Sequence, residues 1–243
     1  MQANFSLYNH KDGFLRIDEM LNSGDNEYEE VDSIPSRDRL SFNNGFYVNC
    51  SAVFVDIRDS SKLPEKYTRP TLAKIYRAFI SETVAVMNGN PDCAEVNIVG
   101  DAVSGIFDTP YLRDINYLFG MAAKINALIS VLNCKLQKRR IDPIRVGIGM
   151  SYGRALMIKA GHKGSSVNDV VWLGDVVNEA SHLSNYGSSY WNIPPIMMSS
   201  VFRENLNDEN KAMTNLSYQH NCYSSNVVNS AMYEWYEANC NGY

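Results

Sequence analysis

The sequence has few cysteines, and they lack the spacing of a metal site or of a disulfide framework. Five cysteines occur in 243 residues, an odd number. No two of them form a C-x-x-C pair. This usage favours free thiols in a reducing compartment over a zinc site or a set of disulfides. We therefore expect reduced cysteines and a cytoplasmic protein.

The sequence also lacks an excess of basic residues and any segment that predicts membrane insertion. The net charge is −5, whereas proteins that bind nucleic-acid backbones are normally basic. Residues 1–13 contain no apolar core of signal-peptide length, and no apolar run approaches the length of a membrane span. These absences argue against nucleic acid as a partner and predict a protein without a membrane span. The hydrophobic fraction of 45% is ample for a sizeable core.

Two apolar stretches end at an aspartate. Residues 50–55 are rich in Val and Phe without alternation, which predicts a buried strand that leads into Asp56. Farther along, two short apolar runs flank Gly100 and Asp101, which predicts a β-hairpin with Asp101 at its tip. Two strand-end carboxylates could together bind a hard cation such as Mg²⁺. Taken alone, however, such aspartates are more often turn formers than metal ligands.

The order of the predicted elements indicates the fold class. Helices are predicted over residues 70–88 and 112–137, each with an apolar stripe at helical spacing. A strand laced with glycines is predicted over 144–153, with close backbone approach on one side and a hairpin partner over 154–159. Together with the first strand and the hairpin, this gives the order β-α-β-β-α-β. The prediction is an α+β, ferredoxin-like fold with a mainly antiparallel sheet and helices on one face.

A further strand, predicted over residues 170–175, leads into a helix over 176–183. Asn178 and His182 of this helix are four residues apart and therefore share one face. Without other context, such a pair is more often a solvated flank than part of a site.

Residues 1–45 differ in composition from the rest of the chain. A short amphipathic helix is predicted over 14–21, followed by an acidic, polar stretch over 22–32 and a linker over 33–36. We expect an N-terminal extension over 1–45 and one domain over 46–243. The sequence leaves open whether the extension packs on the domain or forms an arm that faces a partner.

Four segments resemble, in order, the core motifs of class III nucleotide cyclases: residues 54–58 (FVDIR), 98–103 (IVGDAV), 144–148 (IRVGI) and 173–181 (LGDVVNEAS). One such motif alone is weak evidence, but four in the right order are strong. The resemblance covers residues 49–200 and implies that the domain is a class III cyclase catalytic domain. It further implies a homodimer with shared active sites and two divalent metal ions, Mg²⁺ or Mn²⁺, in each site. Each site would take its metal-binding acids from one chain and a helix that faces the transition state from the other.

The resemblance also implies roles for individual residues. Asp56 and Asp101 match the two metal-ligating aspartates, and the carbonyl group of Ile57 matches the backbone metal ligand. The backbone of residues 57–61 matches the loop around the phosphates. Asn178 matches the asparagine that orients the ribose and the transferring phosphoryl group.

The sequence departs from the family at two places. The family carries a transition-state arginine where this chain has His182, so either His182 or another cation must act there, with Arg58 and Arg145 as candidates. A lysine reads the adenine edge in adenylate cyclases, and this position is Asn97 here. Its partner position, usually Asp or Thr, is Val171. The pair of residues that reads purines is therefore absent.

That absence, together with residues 36–40 and 44–50, resembles the pyrimidine cyclases of bacterial anti-phage (Pycsar) systems. Those enzymes make cyclic UMP or cyclic CMP for a separate effector protein. We expect conversion of UTP or CTP to the cyclic nucleotide and pyrophosphate. The resemblance favours UTP, although the Asn97 amide can pair with either base. A purine cyclase with an unusual base pocket, an inactive relative and a non-catalytic nucleotide-binding or dimerisation module are the alternatives. The presence of Asp56, Asp101 and Asn178 together argues against the last two.

Overall fold

The computed structural model describes residues 5–163 and 167–240. The strands are β1 (Tyr28–Val31), β2 (Gly45–Ile57), β3 (Cys93–Val99), β4 (Ala102–Phe107), β5 (Val146–Gly161), β6 (Asn168–Leu173), β7 (Ile196–Met198), β8 (Asn215–Ser217) and β9 (Cys222–Ser225). The helices are α1 (His10–Leu21), α2 (Leu63–Lys66), α3 (Arg69–Asn88), α4 (Leu112–Gln137), α5 (Asp175–Tyr186), α6 (Ser200–Glu204), α7 (Asp208–Ala212) and α8 (Ser230–Cys240).

The strands form one sheet in the order β3-β4-β2-β5-β7-β9-β8. β2 pairs antiparallel with β4 on one side and with β5 on the other. β1 adds to β2 in parallel, and β6 pairs antiparallel with β5. The elements β2, α3, β3, β4, α4 and β5 follow one another in the order β-α-β-β-α-β, so the predicted ferredoxin-like α+β fold is confirmed. The prediction that the helices lie on one face is wrong for α5, which packs on the face opposite α3 and α4.

The central strand β2 is buried on both faces. On one face Val53 packs with Phe79 of α3 and Leu118 of α4 in the largest apolar cluster. On the other face Ala52 packs in a second cluster with Ala180 of α5. Burial on both sides explains why the sequence of this strand shows no alternation. Asp56, near the end of β2, is therefore held by a strand that is packed on both faces.

β5 is one uninterrupted strand that pairs along the whole of β2, so the prediction of a separate hairpin partner over residues 154–159 is wrong. Its glycines serve close packing instead of a chain reversal. A Cβ atom at Gly147 would lie 1.9 Å from the carbonyl oxygen of Ser184, and one at Gly149 would lie 2.0 Å from that of Ala180. Helix α5 therefore packs directly on the backbone of β5, and the predicted close approach is confirmed.

The segment before β2 is packed on the sheet from β1 onward. β1 pairs with the first residues of β2, and Leu40 is buried. Arg37 forms ion pairs with Glu95 of β3 and Asp169 of β6. α1, in contrast, exposes several large apolar side chains. The division of the chain at residue 45 stays a prediction.

One disulfide corrects the expectation that all cysteines are reduced. Cys134 of α4 and Cys240 of α8 are joined, with their Cα atoms 5.9 Å apart, because α8 packs along α4. The two residues are 106 positions apart in the sequence, so spacing gave no sign of the pairing. Cys50, Cys93 and Cys222 are free, as expected.

Helix α4 also corrects the expectation that no apolar run approaches the length of a membrane span. Among the described residues, this helix is long and apolar enough to cross a membrane by length and composition. However, 61% of its most apolar window is buried inside the protein. Such burial is typical of the central helix of a folded domain, and Leu118 and Ile125 of α4 belong to the main core cluster.

Candidate active site

Asp56 and Asp101 meet at one end of the central strands. Val55 of β2 pairs with Val103 of β4, which places the residue after Val55 beside the turn that precedes β4. Gly100 opens this two-residue turn with φ of 64°, a conformation that favours glycine, and Asp101 follows it. The two carboxyl groups are close enough for Asp101 to raise the pKa of Asp56. The two aspartates predicted as metal ligands are thus brought together.

This acid pair is partly desolvated and incompletely neutralised. Burial raises the pKa of Asp56, Arg58 lowers it, and the nearby Asp101 raises it again. Arg58 donates from Nη2 to Oδ2 of Asp56 at 2.6 Å and from Nη1 to the carbonyl oxygen of Asn185 at 2.9 Å. Oδ2 of Asp101 is buried and has no hydrogen-bond partner among the described residues. A buried carboxylate oxygen without a partner is a feature expected of a cation site.

The chain supplies two acidic side chains at this position and no larger cluster. Over residues 5–163 and 167–240, no group of three or more His, Cys, Asp or Glu side chains could hold a metal ion. A hard cation bound by the two acids would therefore need backbone or substrate oxygens to complete its ligand shell. Ile57, the last residue of β2, follows Asp56 directly and offers a carbonyl group.

The loop after β2 is held by cations of the same chain. Asp59 adopts a left-handed conformation with φ of 55°, and a short 3-10 turn over Ser60–Lys62 follows. Lys62 donates to Oδ1 of Asp59 at 2.6 Å and Arg145 donates to Oδ2 at 2.8 Å. Lys62 is the larger cause, and Arg145 the smaller, of a lowered pKa at Asp59. Arg145 and Arg58, the candidate replacements for the missing arginine, are therefore both paired with acids of their own chain.

Asn178 and His182 lie on an exposed face of α5, where they line an open cleft of about 560 Å³. His220, in the turn between β8 and β9, lines the same cleft. Its ring stacks on that of Tyr186, with centroids 4.1 Å apart and planes inclined by 15°. Its Nε2 is buried and has no hydrogen-bond partner in the part of the chain that the structure describes. The polar side chains that line the cleft are two imidazoles (His182 and His220), two amides (Asn178 and Asn221) and two carboxylates (Asp175 and Glu179). Only tertiary packing, without a local sequence signal, brings His220 there.

The α5 face and the acid pair are separate within one chain. No hydrogen bond or ion pair among the described residues joins Asn178 or His182 to Asp56 or Asp101. Arg58 connects the two regions, because it donates both to Asp56 and to the backbone at the end of α5.

Asn97 belongs to a polar group built around Glu95. Nδ2 of Asn97 donates to Oε1 of Glu95 at 2.6 Å. Oε2 of Glu95 accepts from Nε1 of Trp172 at 3.0 Å and pairs with Nη2 of Arg37 at 2.8 Å. The Glu95 side chain is only 4% exposed. Sequence reasoning missed Glu95, although the alternation of β3 places residues 95 and 97 on the same face.

Trp172, instead of Val171, contacts the group around Asn97. Neighbouring side chains of a strand point to opposite faces, so Val171 faces away from Trp172 and hence from Glu95. The structure therefore does not place the predicted partner position of Asn97 beside it within one chain. The β6 residue that contacts the group around Asn97 is Trp172, through its hydrogen bond to Glu95.

The fold is that of the class III nucleotide cyclases. The adenylyl cyclase CyaB from P. aeruginosa superposes with a TM-score of 0.60, over 71% of this chain and 85% of that one, at 19% identity. The guanylyl cyclase Cya2 superposes with a TM-score of 0.58, over 71% and 83%, at 16% identity. At such identities the likeness establishes the fold alone. No protein-family model matches the chain.

Two sequence relatives narrow the family. A uridylate cyclase of Treponema porcinum is 37% identical over 235 residues, which cover 94% of this chain and 80% of the relative. A uridylate cyclase of Gulbenkiania mobilis is 38% identical over 251 residues, which cover 94% of each. The chain therefore belongs to the uridylate cyclase family, and the predicted class of function, a pyrimidine nucleotide cyclase, is confirmed.

Proposed function

We propose that the protein converts UTP to 3′,5′-cyclic UMP and pyrophosphate, at active sites shared between the two chains of a homodimer. The observation that carries this proposal is the pair of Asp56 and Asp101, which leaves a buried carboxylate oxygen without a partner at the end of the central strands. The relatives named uridylate cyclase support uracil as the base.

The acid pair fits two divalent ions, Mg²⁺ or Mn²⁺. The unpartnered Oδ2 of Asp101 and the raised pKa of Asp56 both indicate negative charge that a cation would neutralise. Asp56, Asp101 and the carbonyl group of Ile57 would hold the ions, with substrate oxygens completing their shells. When bound, the ions supply Lewis-acid activation of the 3′-hydroxyl group and neutralise charge on the phosphates.

The residues of the chain itself would position the substrate and supply electrostatic stabilisation. The backbone of residues 57–61 would hold the phosphates, and the Arg58 guanidinium would favour the ionised form of Asp56. Asn178 would orient the ribose. His182 would place a cation near the transferring phosphoryl group when its imidazole is protonated.

The placement of these groups on different elements supports a homodimer. Asn178 and His182 are exposed on α5, whereas the acids they must serve lie in another part of the same chain. A cleft that is open to solvent and lined by polar side chains fits a site that a second chain completes. Each active site would then combine the acid pair of one chain with the α5 face of the other.

Asn97 would read the edge of the pyrimidine, with Trp172, which bonds to the neighbouring Glu95, limiting the space available for a purine. The product would serve as a second messenger that a separate effector protein reads in cytoplasmic anti-phage defence. This last assignment is supported by the resemblance of the motifs to the Pycsar cyclases.

Incubation of the purified protein with each of the four nucleoside triphosphates and Mn²⁺ tests the proposal. Chromatography should show cyclic UMP as the main product and no cyclic product in the presence of a chelator. A preference for ATP would overturn the pyrimidine assignment. Absence of product with all four substrates would favour the inactive nucleotide-binding module.

A further inference from the structure

Glu95 is a buried carboxylate whose two oxygens face three N–H donors. Oε1 accepts from Asn97, Oε2 accepts from Trp172, and Oε2 also forms an ion pair with Arg37. A glutamate carboxylate at neutral pH accepts hydrogen bonds and does not donate them. The amide of Asn97 must therefore turn its nitrogen toward Glu95. Its oxygen, Oδ1, is left as a free acceptor, since no donor among the described residues pairs with it.

A fixed acceptor distinguishes the two pyrimidines at one atom. On the pairing edge of uracil, N3–H is the only donor and lies between two carbonyl oxygens. In cytosine, N3 carries a lone pair and no hydrogen, so an acceptor placed opposite N3 is repelled. We propose that Glu95 orients Asn97 so that Oδ1 accepts the N3–H of uracil, and that this contact makes the enzyme select UTP over CTP. The inference rests on the proposed function and names the atom by which that site recognises its base.

Arg37 extends this arrangement to the N-terminal segment. Its guanidinium lies 2.8 Å from Oε2 of Glu95 and 3.3 Å from Oδ1 of Asp169 on β6. The side chain of Arg37 is 54% exposed, whereas that of Glu95 is buried. Arg37 therefore acts as an exposed anchor for a buried acid. Glu95 and Arg37 are positioning residues, because they act on the base through Asn97.

Glu95→Gln tests the orientation directly. A glutamine offers one oxygen and one NH₂ group, while Trp172 and Arg37 both donate toward the Oε2 position. The glutamine oxygen should face these two donors and its NH₂ group should face Asn97, which must then turn its own oxygen inward. On the side of Asn97 that faces away from residue 95, the acceptor Oδ1 is then replaced by the donor Nδ2. The ratio of kcat/KM for UTP to that for CTP should fall about tenfold to a hundredfold.

Substrate analogues test the contact in the wild-type protein. 3-Methyl-UTP replaces the N3 hydrogen with a methyl group and should lose about a hundredfold or more in kcat/KM. 4-Thio-UTP keeps N3–H and changes only the C4 substituent, so it should stay within a few fold of UTP. Equal turnover of 3-methyl-UTP and UTP would overturn the inference, whatever the variants do.

Matched variants separate positioning from structural damage. Arg37→Ala should lower the UTP/CTP ratio by a smaller factor than Glu95→Gln, because Trp172 still holds the acid. Arg39→Ala breaks a different ion pair of the same segment, with Glu29 at 3.1 Å, and should leave the ratio unchanged. If Glu95→Gln does not fold, the analogue measurements on the wild type decide.

The outcomes also distinguish the inference from the function on which it rests. If the wild type makes cyclic UMP but the UTP/CTP ratio is unchanged in well-folded Glu95→Gln, the inference is wrong and the proposed function stands. If the wild type does not cyclise UTP, the proposed function fails, and the inference falls with it.

Discussion

The molecule contains two groups of partly or fully buried carboxylates that differ in their partners. The acid pair, Asp56 and Asp101, has one guanidinium partner and one buried oxygen that no described residue satisfies. Glu95 has two hydrogen-bond donors and one guanidinium ion-pair partner on its two oxygens. Both groups lie on neighbouring strands of the same sheet.

The difference indicates what each group is for. The carboxylates of the acid pair lack enough hydrogen-bond and cationic partners within the chain. A bound cation would supply the missing positive charge, so the pair indicates a place where a ligand binds. A fully satisfied acid has nothing left to offer a ligand, and it acts by fixing its neighbours. Substitution of the first kind should abolish chemistry, whereas substitution of the second kind should change selectivity.

Asp56→Ala is expected to have the largest effect. Loss of a metal ligand should reduce turnover of UTP by about a thousandfold or more, because both charge stabilisation and activation of the 3′-hydroxyl depend on the acid pair. Steady-state assays of product formation, with circular dichroism to show that the variant folds, measure this. Asp208→Ala removes an exposed acid of α7 and serves as the control. Turnover within tenfold of the wild type in folded Asp56→Ala would contradict the metal role.

A mixture of two inactive variants tests whether the acid pair and the α5 face of one active site come from different chains. Asp56→Ala and Asn178→Ala chains should each be inactive alone, because each dimer lacks one half of both sites. Random mixing should restore about a quarter of wild-type activity, since half of the dimers are mixed and each mixed dimer has one intact site. Mass spectrometry of the mixture verifies that mixed dimers form. If they form and remain inactive, the two groups do not belong to one shared site.

Asn97→Ala should have an intermediate effect that is confined to the base. Loss of one buried hydrogen bond, worth about 1–3 kcal/mol, should lower kcat/KM for UTP by about tenfold to a hundredfold. CTP turnover should change less, so the UTP/CTP ratio approaches one. Measurement of kcat/KM for all four nucleotides tests this. An equal fall for all four would mean that Asn97 only shapes its strand.

The smallest expected effect is on stability in the absence of metal. The pKa of Asp56 is raised in the folded chain by burial, with Asp101 as a further cause, so this carboxyl binds its proton more tightly than it does in the unfolded chain. Its contribution to stability is therefore complete below the ordinary carboxyl pKa and is lost as pH rises through the raised value. Asp101→Asn removes one cause of the shift. It should raise the Tm of the metal-free protein by a few degrees near neutral pH and by less in acid.

Thermal unfolding of wild type and Asp101→Asn over a range of pH, with chelator present, measures this difference. A Tm difference that is the same at all pH values would show that repulsion within the acid pair does not contribute.

Local sequence patterns were sufficient for the elements that carry the acid pair. The unbroken apolar run of residues 50–55, the Gly100-Asp101 turn and the stripe of α4 each depend on contacts between near neighbours in the sequence, and each appears as predicted. The glycines of β5 were correctly associated with close approach, but residues 154–159 were predicted as a separate hairpin partner, whereas they continue the same strand along β2. Pairing with a long partner overrode the local signal there.

The features that sequence reasoning missed depend on residues that are far apart in the chain. The role of Glu95 depends on its contacts with Arg37 and Trp172, which belong to other parts of the chain. The disulfide between Cys134 and Cys240 depends on where α8 packs. A glutamate in a strand does not by itself show which donors will surround it. The alternation of β3 could have placed it beside Asn97, but only the fold shows that its oxygens are occupied.

A crystal structure of the protein with Mn²⁺ and a non-hydrolysable UTP analogue tests both halves of this account at once. Anomalous density should appear between the carboxylates of Asp56 and Asp101, and N3 of uracil should lie about 2.9 Å from Oδ1 of Asn97. The central claim is that Asp56 and Asp101 bind the ions and that Glu95 orients Asn97 toward the base. Absence of metal at the acid pair, or a uracil edge bound by residues other than Asn97, would contradict it.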